Sequence, residues 1–327
     1  MSAVMTLDGV ERTSLATYRV LGAQIGMFIS GIAVLPLVEF YGGQGQPLMA
    51  WALAIGTMTV LGIISHLFCY SSCHEKYVAQ PKKKAPGEAE ISKLIGFKFL
   101  LKNQPFLIFV LFTLLSMIPV FLQQQSQLYY FTYQFNAGKD LMKFVSTLNM
   151  IAFIPIFLFG TYMVKKMGKK NTALIGAAGF AVVETLNYFL SGDSVTTYLV
   201  LQFFAQIFLM MPNTVCWAII ADIVEYGQYL SGVRTEGTVY SSYSFVRKIC
   251  QAMAGFIPGI VLSIIGFNPT AAQQTASAIS GIKMTYFLIP SVFCAIAAVV
   301  FFMFYTLTEE KHKQIVAELG MKSSTEK

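Results

Sequence analysis

Eight stretches of this sequence are too long and too apolar to be anything other than membrane crossings. One crossing takes about 20 mostly apolar residues at 1.5 Å each. Runs of that kind fall at roughly 14–38, 48–70, 105–131, 144–163, 172–190, 196–220, 238–265 and 282–306. They are of helical length and do not alternate apolar with polar residues, which excludes an outer-membrane barrel. Only 12% of the 327 residues are charged, about half the usual share of a soluble domain, which excludes a soluble enzyme with one large core. The expected fold class is an all-α, multi-pass membrane protein.

The formal net charge is +7, and the position of the charges explains it. With an even number of spans both termini share a face, and 17 of the 23 Lys and Arg lie on that face, in alternate loops and at the ends. The opposite face carries only Lys139, Lys143 and Lys283, while Arg19, Arg247 and Lys248 fall within spans. The positive-inside rule then makes both termini cytoplasmic, in a cell (inner or plasma) membrane, and the basic balance reports topology and no nucleic-acid partner. The opening MSAVMTLDGVERT lacks the basic segment and apolar core of a signal peptide. Five cysteines, mostly in apolar stretches, fit no disulfide framework.

The run QPKKKAPGEAE reads as a solvated linker and divides two spans from six. The expected organisation is a two-helix segment (1–74), a cytoplasmic loop (75–104), a six-helix bundle (105–307) and a cytoplasmic tail (308–327). Pro119, Pro155, Pro212, Pro258 and Pro290 fall inside spans, where neighbouring helices satisfy the freed carbonyls and kinks result. Gly22 with Gly26, and Gly255 with Gly259, have the four-residue spacing of close helix packing.

An ionisable side chain at the bilayer centre costs at least roughly 2.5–3.5 kcal/mol and demands a partner or an aqueous cavity. Lys248 lies about 15 Å along its span, too deep to snorkel. Arg247 is its neighbour, Arg19 sits near the start of the first span, and Glu184 is the one mid-span carboxylate. One acid does not balance three cations. The missing negative charge is expected from a substrate, another chain, or helices outside this sequence.

Gln202, Gln206, Asn213 and Trp217 share one face of the sixth span. The third span offers Gln123, Gln124 and Gln127, then Tyr129, Tyr130 and Tyr133. Such amide and aromatic stripes suit sugars, whose hydroxyls need donors and acceptors and whose C–H faces stack on rings. Interhelical hydrogen bonding with an interfacial aromatic belt is the competing reading. His66, Cys69, Cys73 and His74 have ligand chemistry for zinc, but one straight helix does not wrap a tetrahedral ion, so packing is the reading and no metal is expected. No nucleophile triad, phosphate loop or carboxylate pair points to an enzyme.

The stretch ADIVEYGQYLSGVRTEGTVYSSYSFVRK, residues 221–248, resembles the signature of the glycoside-pentoside-hexuronide:cation symporters, the melibiose-carrier branch of the major facilitator superfamily. ERTSLATYR (11–19), YYFTY (129–133) and GTYMVKKMGKK (160–170) resemble further family segments in the family's order. The resemblance implies that the eight spans are helices five to twelve of a major facilitator fold lacking its first four. It makes Lys248 similar to the lysine that communicates with the cation site, and Arg19 similar to a sugar-site arginine. Asp222, Glu225 and Arg234 resemble the charge network that latches the outward-facing state. Tyr243 and Ser244 stand where the melibiose carrier has Gln-Thr, while Arg247 and Glu184 match nothing in the family pattern.

Together these expectations describe a secondary transporter that couples symport of a sugar, glycoside or uronide to Na⁺ or H⁺ by alternating access. Substrate would meet Arg19, Gln123, Gln127, Asn213, Trp217, Tyr243, Ser244 and Lys248, with Asp222, Glu225, Arg234, Glu184 and Lys248 in coupling and gating. Its expected partners are that small molecule, the coupling cation and the lipid bilayer; it binds no permanent cofactor, and the main acidic site for the cation lies outside this chain. The full-length form would be monomeric. The alternatives are a lipid or drug carrier on the same scaffold, or a non-transporting or decayed chain that needs a second polypeptide.

Overall fold

The computed structural model describes residues 9–42, 47–72, 100–135, 138–192, 194–231, 236–268 and 274–325. Every regular element among them is a helix: α1 (Gly9–Tyr41), α2 (Pro47–Ser72), α3 (Gln104–Phe135), α4 (Gly138–Leu190), α5 (Val195–Ser231), α6 (Glu236–Ile264), α7 (Ala276–Phe304) and α8 (Glu309–Thr325). Among the described residues six helices are long and apolar enough to cross a membrane: Leu48–Ser72, Gln104–Phe135, Tyr162–Leu190, Val195–Ser231, Glu236–Ile264 and Ala276–Phe304. The other two expected spans, 14–38 and 144–163, fall on helical backbone whose described apolar stretches, Ile29–Tyr41 and Thr147–Gly160, are shorter.

The chain divides into two compact units, Met1–Glu90 and Ile91–Lys327. In the first, α1 and α2 pair antiparallel and Tyr41 shares a hydrogen bond with Thr57 at 3.0 Å. Ala50 and Ala54 are buried there, while Ile29, Leu61, Ile64 and Phe68 are exposed. That pattern suits an apolar solvent, in which outward-facing Leu and Ile cost nothing. The Arg19 side chain and the linker lie outside the described residues.

In the second unit α4 packs along α5, and α3 packs against α7. At 53 residues α4 is far too long for one crossing, and it breaks at Gly168 (φ 83°) into two arms, 138–167 and 169–190. A side chain rarely adopts that φ, so glycine is required at the break. The lysine-rich loop expected between the fourth and fifth spans is therefore a one-residue corner.

Among the described residues, Gly22, Gly26, Gly255 and Gly259 have nothing within 4 Å of an added Cβ, and close packing is seen at two other glycines. At Gly176 and Gly179 a Cβ would collide with Phe208, and that absence of side chains lets the second arm of α4 lie directly on α5. The prolines at 119, 155, 212, 258 and 290 all lie inside helices.

Two aromatic clusters close the ends of the bundle. Phe109, Phe112, Tyr243, Phe301 and Tyr305 pack at the basic end, with Phe112 and Phe301 ring centres 4.5 Å apart. Tyr130, Phe131, Tyr198, Tyr286 and Phe287 pack at the other, where Tyr130 stacks on Tyr286 at 4.8 Å. Tyr130 is thus a core residue rather than part of an interfacial belt. Tyr129 and Tyr133 remain half-buried, edge-on to Phe267.

Candidate functional site

A polar layer lies inside the second unit. Gln123 and Ser126 share a face of α3, Glu184 and Asn187 a face of the second arm of α4, and Tyr198 and Gln202 a face of α5; the spacings of three and four residues put each pair on one side of its helix. All six side chains are buried. Gln123 Nε2 donates to Glu184 Oε1 at 2.9 Å and reaches the Tyr286 carbonyl at 3.5 Å. The Tyr198 and Tyr286 hydroxyls share a 2.9 Å hydrogen bond. Ser126 Oγ, Glu184 Oε2, Gln202 Oε1 and both amide atoms of Asn187 have no hydrogen-bond partner among the described residues.

Beside this layer is a mainly polar cavity of about 40 Å³, lined by Gln123, Gln124, Gln127, Asn149, Gln206 and Tyr286 with Val120 and Leu209. It has room for about three waters. The third-span stripe therefore meets a cavity through three glutamines. The sixth-span stripe does so only through Gln206: Gln202 is buried in the layer, and Asn213 and Trp217 lie further along α5.

Trp217 belongs to a second locality. It stacks on Tyr240 at 6.1 Å, meets Tyr243 edge-on, and has the Arg247 guanidinium 5.9 Å from its ring centre. Tyr243, expected in a ligand site, is fully buried and stacked on Phe109 at 5.6 Å as part of the hydrophobic core. Lys248, expected deep within a span, is exposed on this unit on a face of α6 that also carries Ser244 and Gln251, and it donates to Gln251 Oε1 at 3.1 Å.

At the basic end, the acid pair expected to latch the transporter meets Lys169 and His312. Lys169 Nζ lies 2.7 Å from both carboxylate oxygens of Asp222. His312 Nε2 sits 2.6 Å from Glu225 Oε2 and 3.5 Å from Asp222 Oδ1. Glu309 Oε1 accepts the Lys169 backbone N–H at 2.8 Å, and Lys170 Nζ donates to the Tyr305 carbonyl at 2.7 Å, where a cation suits a helix C-terminus. Arg234 lies outside the described residues. The sequence reading missed Lys169, Glu309 and His312, although the basic GKK at 168–170 and the acidic-basic run EEKHK at 309–313 are the signal. The expected tail is in fact a docked helix, with Ile315 buried against the bundle.

A family model for MFS/sugar transport proteins matches residues 1–309. The chain belongs to the MFS/sugar transport protein family. It is 35% identical over 326 residues to the uncharacterised symporter YjmB of Bacillus subtilis (strain 168), covering 99% of this chain and 68% of that one. It is 32% identical to a putative sulfoquinovose importer of Escherichia coli (strain K12), covering 100% and 68%. Over 265 residues it is 34% identical to the glucuronide carrier protein homolog of the same organism, covering 80% and 55%. Family membership makes it a multi-pass membrane protein that transports a small sugar-like molecule and is not an enzyme.

Proposed function

We propose that this chain is the substrate-handling part of a cation-coupled symporter for a sugar acid, working by alternating access. The observation that carries the reading is the pairing of Arg247 over Trp217 with Lys248 beside it on the exposed face of α6. Two cations next to stacked rings suit a sugar bearing a carboxylate or sulfonate, because guanidinium and ammonium groups pair with oxyanions and rings stack on sugar faces. Relatives named for sulfoquinovose and for glucuronide, both sugars with an acid group that is ionised at neutral pH, support the same class. Gln123, Gln127, Ser244 and Asn213 would supply neutral hydrogen bonds and Trp217 an aromatic face.

In this reading the eight spans correspond to helices five to twelve of the family scaffold, in keeping with the 68% share of the relatives' length. The coupling ion is Na⁺ or H⁺. Asp222 and Glu225, with Lys169 and His312, form the latch of one conformational state at the cytoplasmic end of a cell membrane.

The test is uptake of radiolabelled glucuronide and sulfoquinovose, against uncharged glycosides, in cells expressing the chain with any coding sequence that runs in frame upstream. Accumulation of the sugar acid that collapses with the Na⁺ or H⁺ gradient, and is lost in Lys248→Ala at equal membrane abundance, is expected. Preference for the uncharged glycoside, or unchanged accumulation in Lys248→Ala, overturns the reading.

A further inference from the structure

We propose that Glu184 anchors a buried site for one monovalent cation, Na⁺ or H⁺, inside the second unit. Glu184 is fully buried within a membrane-crossing helix, and among the described residues the only hydrogen bond to its carboxyl is from the neutral amide of Gln123. The ion pairs among the described residues join Lys169 and His312 to Asp222 and Glu225, and leave Glu184 out. The one cation on α7, Lys283, sits over the Tyr188 ring at 5.1 Å. Among the described residues, the titratable groups that feel the Glu184 charge include the Tyr198 and Tyr286 phenols and the Cys294 thiol, from α5 and α7, and these bring no positive charge. An isolated carboxylate in such surroundings costs several kcal/mol, so a positive charge has to accompany it.

Unpartnered oxygens on the same polar faces suit that charge. Glu184 Oε2 and Asn187 Oδ1, one helical turn apart on α4, are buried without a hydrogen-bond partner among the described residues, as are Gln202 Oε1 on α5 and Ser126 Oγ on α3. Hard cations take oxygen ligands of this kind, carboxylate, amide carbonyl and hydroxyl together. A single carboxylate balances one unit of charge, and a divalent ion would leave an excess in a low-dielectric interior. Access is also built in, because Gln123 and Tyr286 line the 40 Å³ polar cavity, while Gln123 bonds Glu184. A rotation of the Gln123 side chain would join that cavity to the carboxyl.

This site stands on burial and charge and is independent of the sugar reading; if that reading holds, the site is a place for its coupling ion. The experiment uses the purified full chain in nanodiscs in choline buffer, without sugar. Binding of ²²Na⁺ is measured for the native protein, Glu184→Gln and Asn187→Ala. Infrared pH-difference spectra, with ¹³C-glutamate labelling, look for a protonated carboxyl at neutral pH. Stoichiometric Na⁺ binding that Glu184→Gln abolishes and Asn187→Ala weakens about tenfold supports the site with Na⁺ as occupant. A labelled protonated-carboxyl band that Glu184→Gln removes, without Na⁺ binding, supports it with H⁺. Neither signal, or signals unchanged in Glu184→Gln, overturns it and leaves the layer to ordinary buried waters. Should the Gln variant aggregate, Glu184→Asp keeps the charge one methylene shorter and is expected to shift the affinity or the band. No effect of Glu184→Asp overturns the proposal equally. Neither readout involves sugar, so failed transport and a failed ion site remain separate results.

Discussion

Replacing Gly176 by alanine would drive one methyl group into the backbone of a neighbouring helix. An ideal Cβ there sits 2.7 Å from the Phe208 carbonyl oxygen and 2.8 Å from Met211 Cβ, both on α5. Neither is the free end of a flexible side chain, so α5 itself has to shift. Overpacking of this sort costs about 1–3 kcal/mol, and the gain in helix propensity from glycine to alanine, about 1 kcal/mol, partly offsets it. Gly160→Ala is the matched control: among the described residues its Cβ would meet only Ile156 Cγ2, at 3.7 Å, so the propensity gain is shared and the collision is not. The difference between the variants is therefore the overpacking term, about 1–3 kcal/mol. At roughly 2–4 °C per kcal/mol, Gly176→Ala should unfold several degrees below Gly160→Ala. A thiol-reactive dye followed on heating reads this directly, because Cys216, Cys250 and Cys294 are buried and Cys69 is exposed, which sets the baseline. Equal midpoints for the two variants would refute the account of the α4–α5 contact.

The remaining predictions use the same assay. Lys169→Met strips Asp222 of the ammonium group that holds both its oxygens, and should cost roughly 2–4 kcal/mol, somewhat below the figure for a fully buried pair because both side chains keep some exposure. Lys169→Met with Asp222→Leu should recover at least half of that loss, and a double variant no better than the single would contradict the pairing. Tyr286→Phe removes one half of the buried hydroxyl pair with Tyr198 and should cost about 1–2 kcal/mol. Adding Tyr198→Phe should cost little more, whereas fully additive losses would show that the two hydroxyls do not bond each other.

The helices were legible because bilayer thickness imposes a length that hydropathy reports directly. The span expected at 105–131 is α3 at Gln104–Phe135, and that expected at 282–306 lies within Ala276–Phe304 and the residues just after it. The facing of each side chain was not legible. In water an apolar stripe marks the core, but in lipid both the core and the outer face are apolar, so nothing in the composition of α6 distinguished buried Tyr243 from exposed Lys248. The break at Gly168 was hidden for a related reason: the flanking MVKKMGKKN is polar enough to read as loop, yet the backbone stays helical on both sides of a single glycine. Glu184 stood out at once as the one mid-span acid. Its partner Gln123, sixty-one positions away, had only been seen as part of a sugar-like stripe.

The contact between Glu309 and Lys169 gives α8 a part in the corner of α4 at the basic end of the bundle. A helix that starts afresh after a corner leaves amide hydrogens without carbonyls, and usually a side chain just before the start caps them. Here the second arm of α4 takes its cap from a residue 140 positions later, carried on α8. A fusion tag, antibody or protease that pulls α8 away would uncap a membrane helix at its corner and expose Asp222 with it. For this transporter the C-terminus is the wrong handle for purification, and a sensitive place from which to report on the bundle.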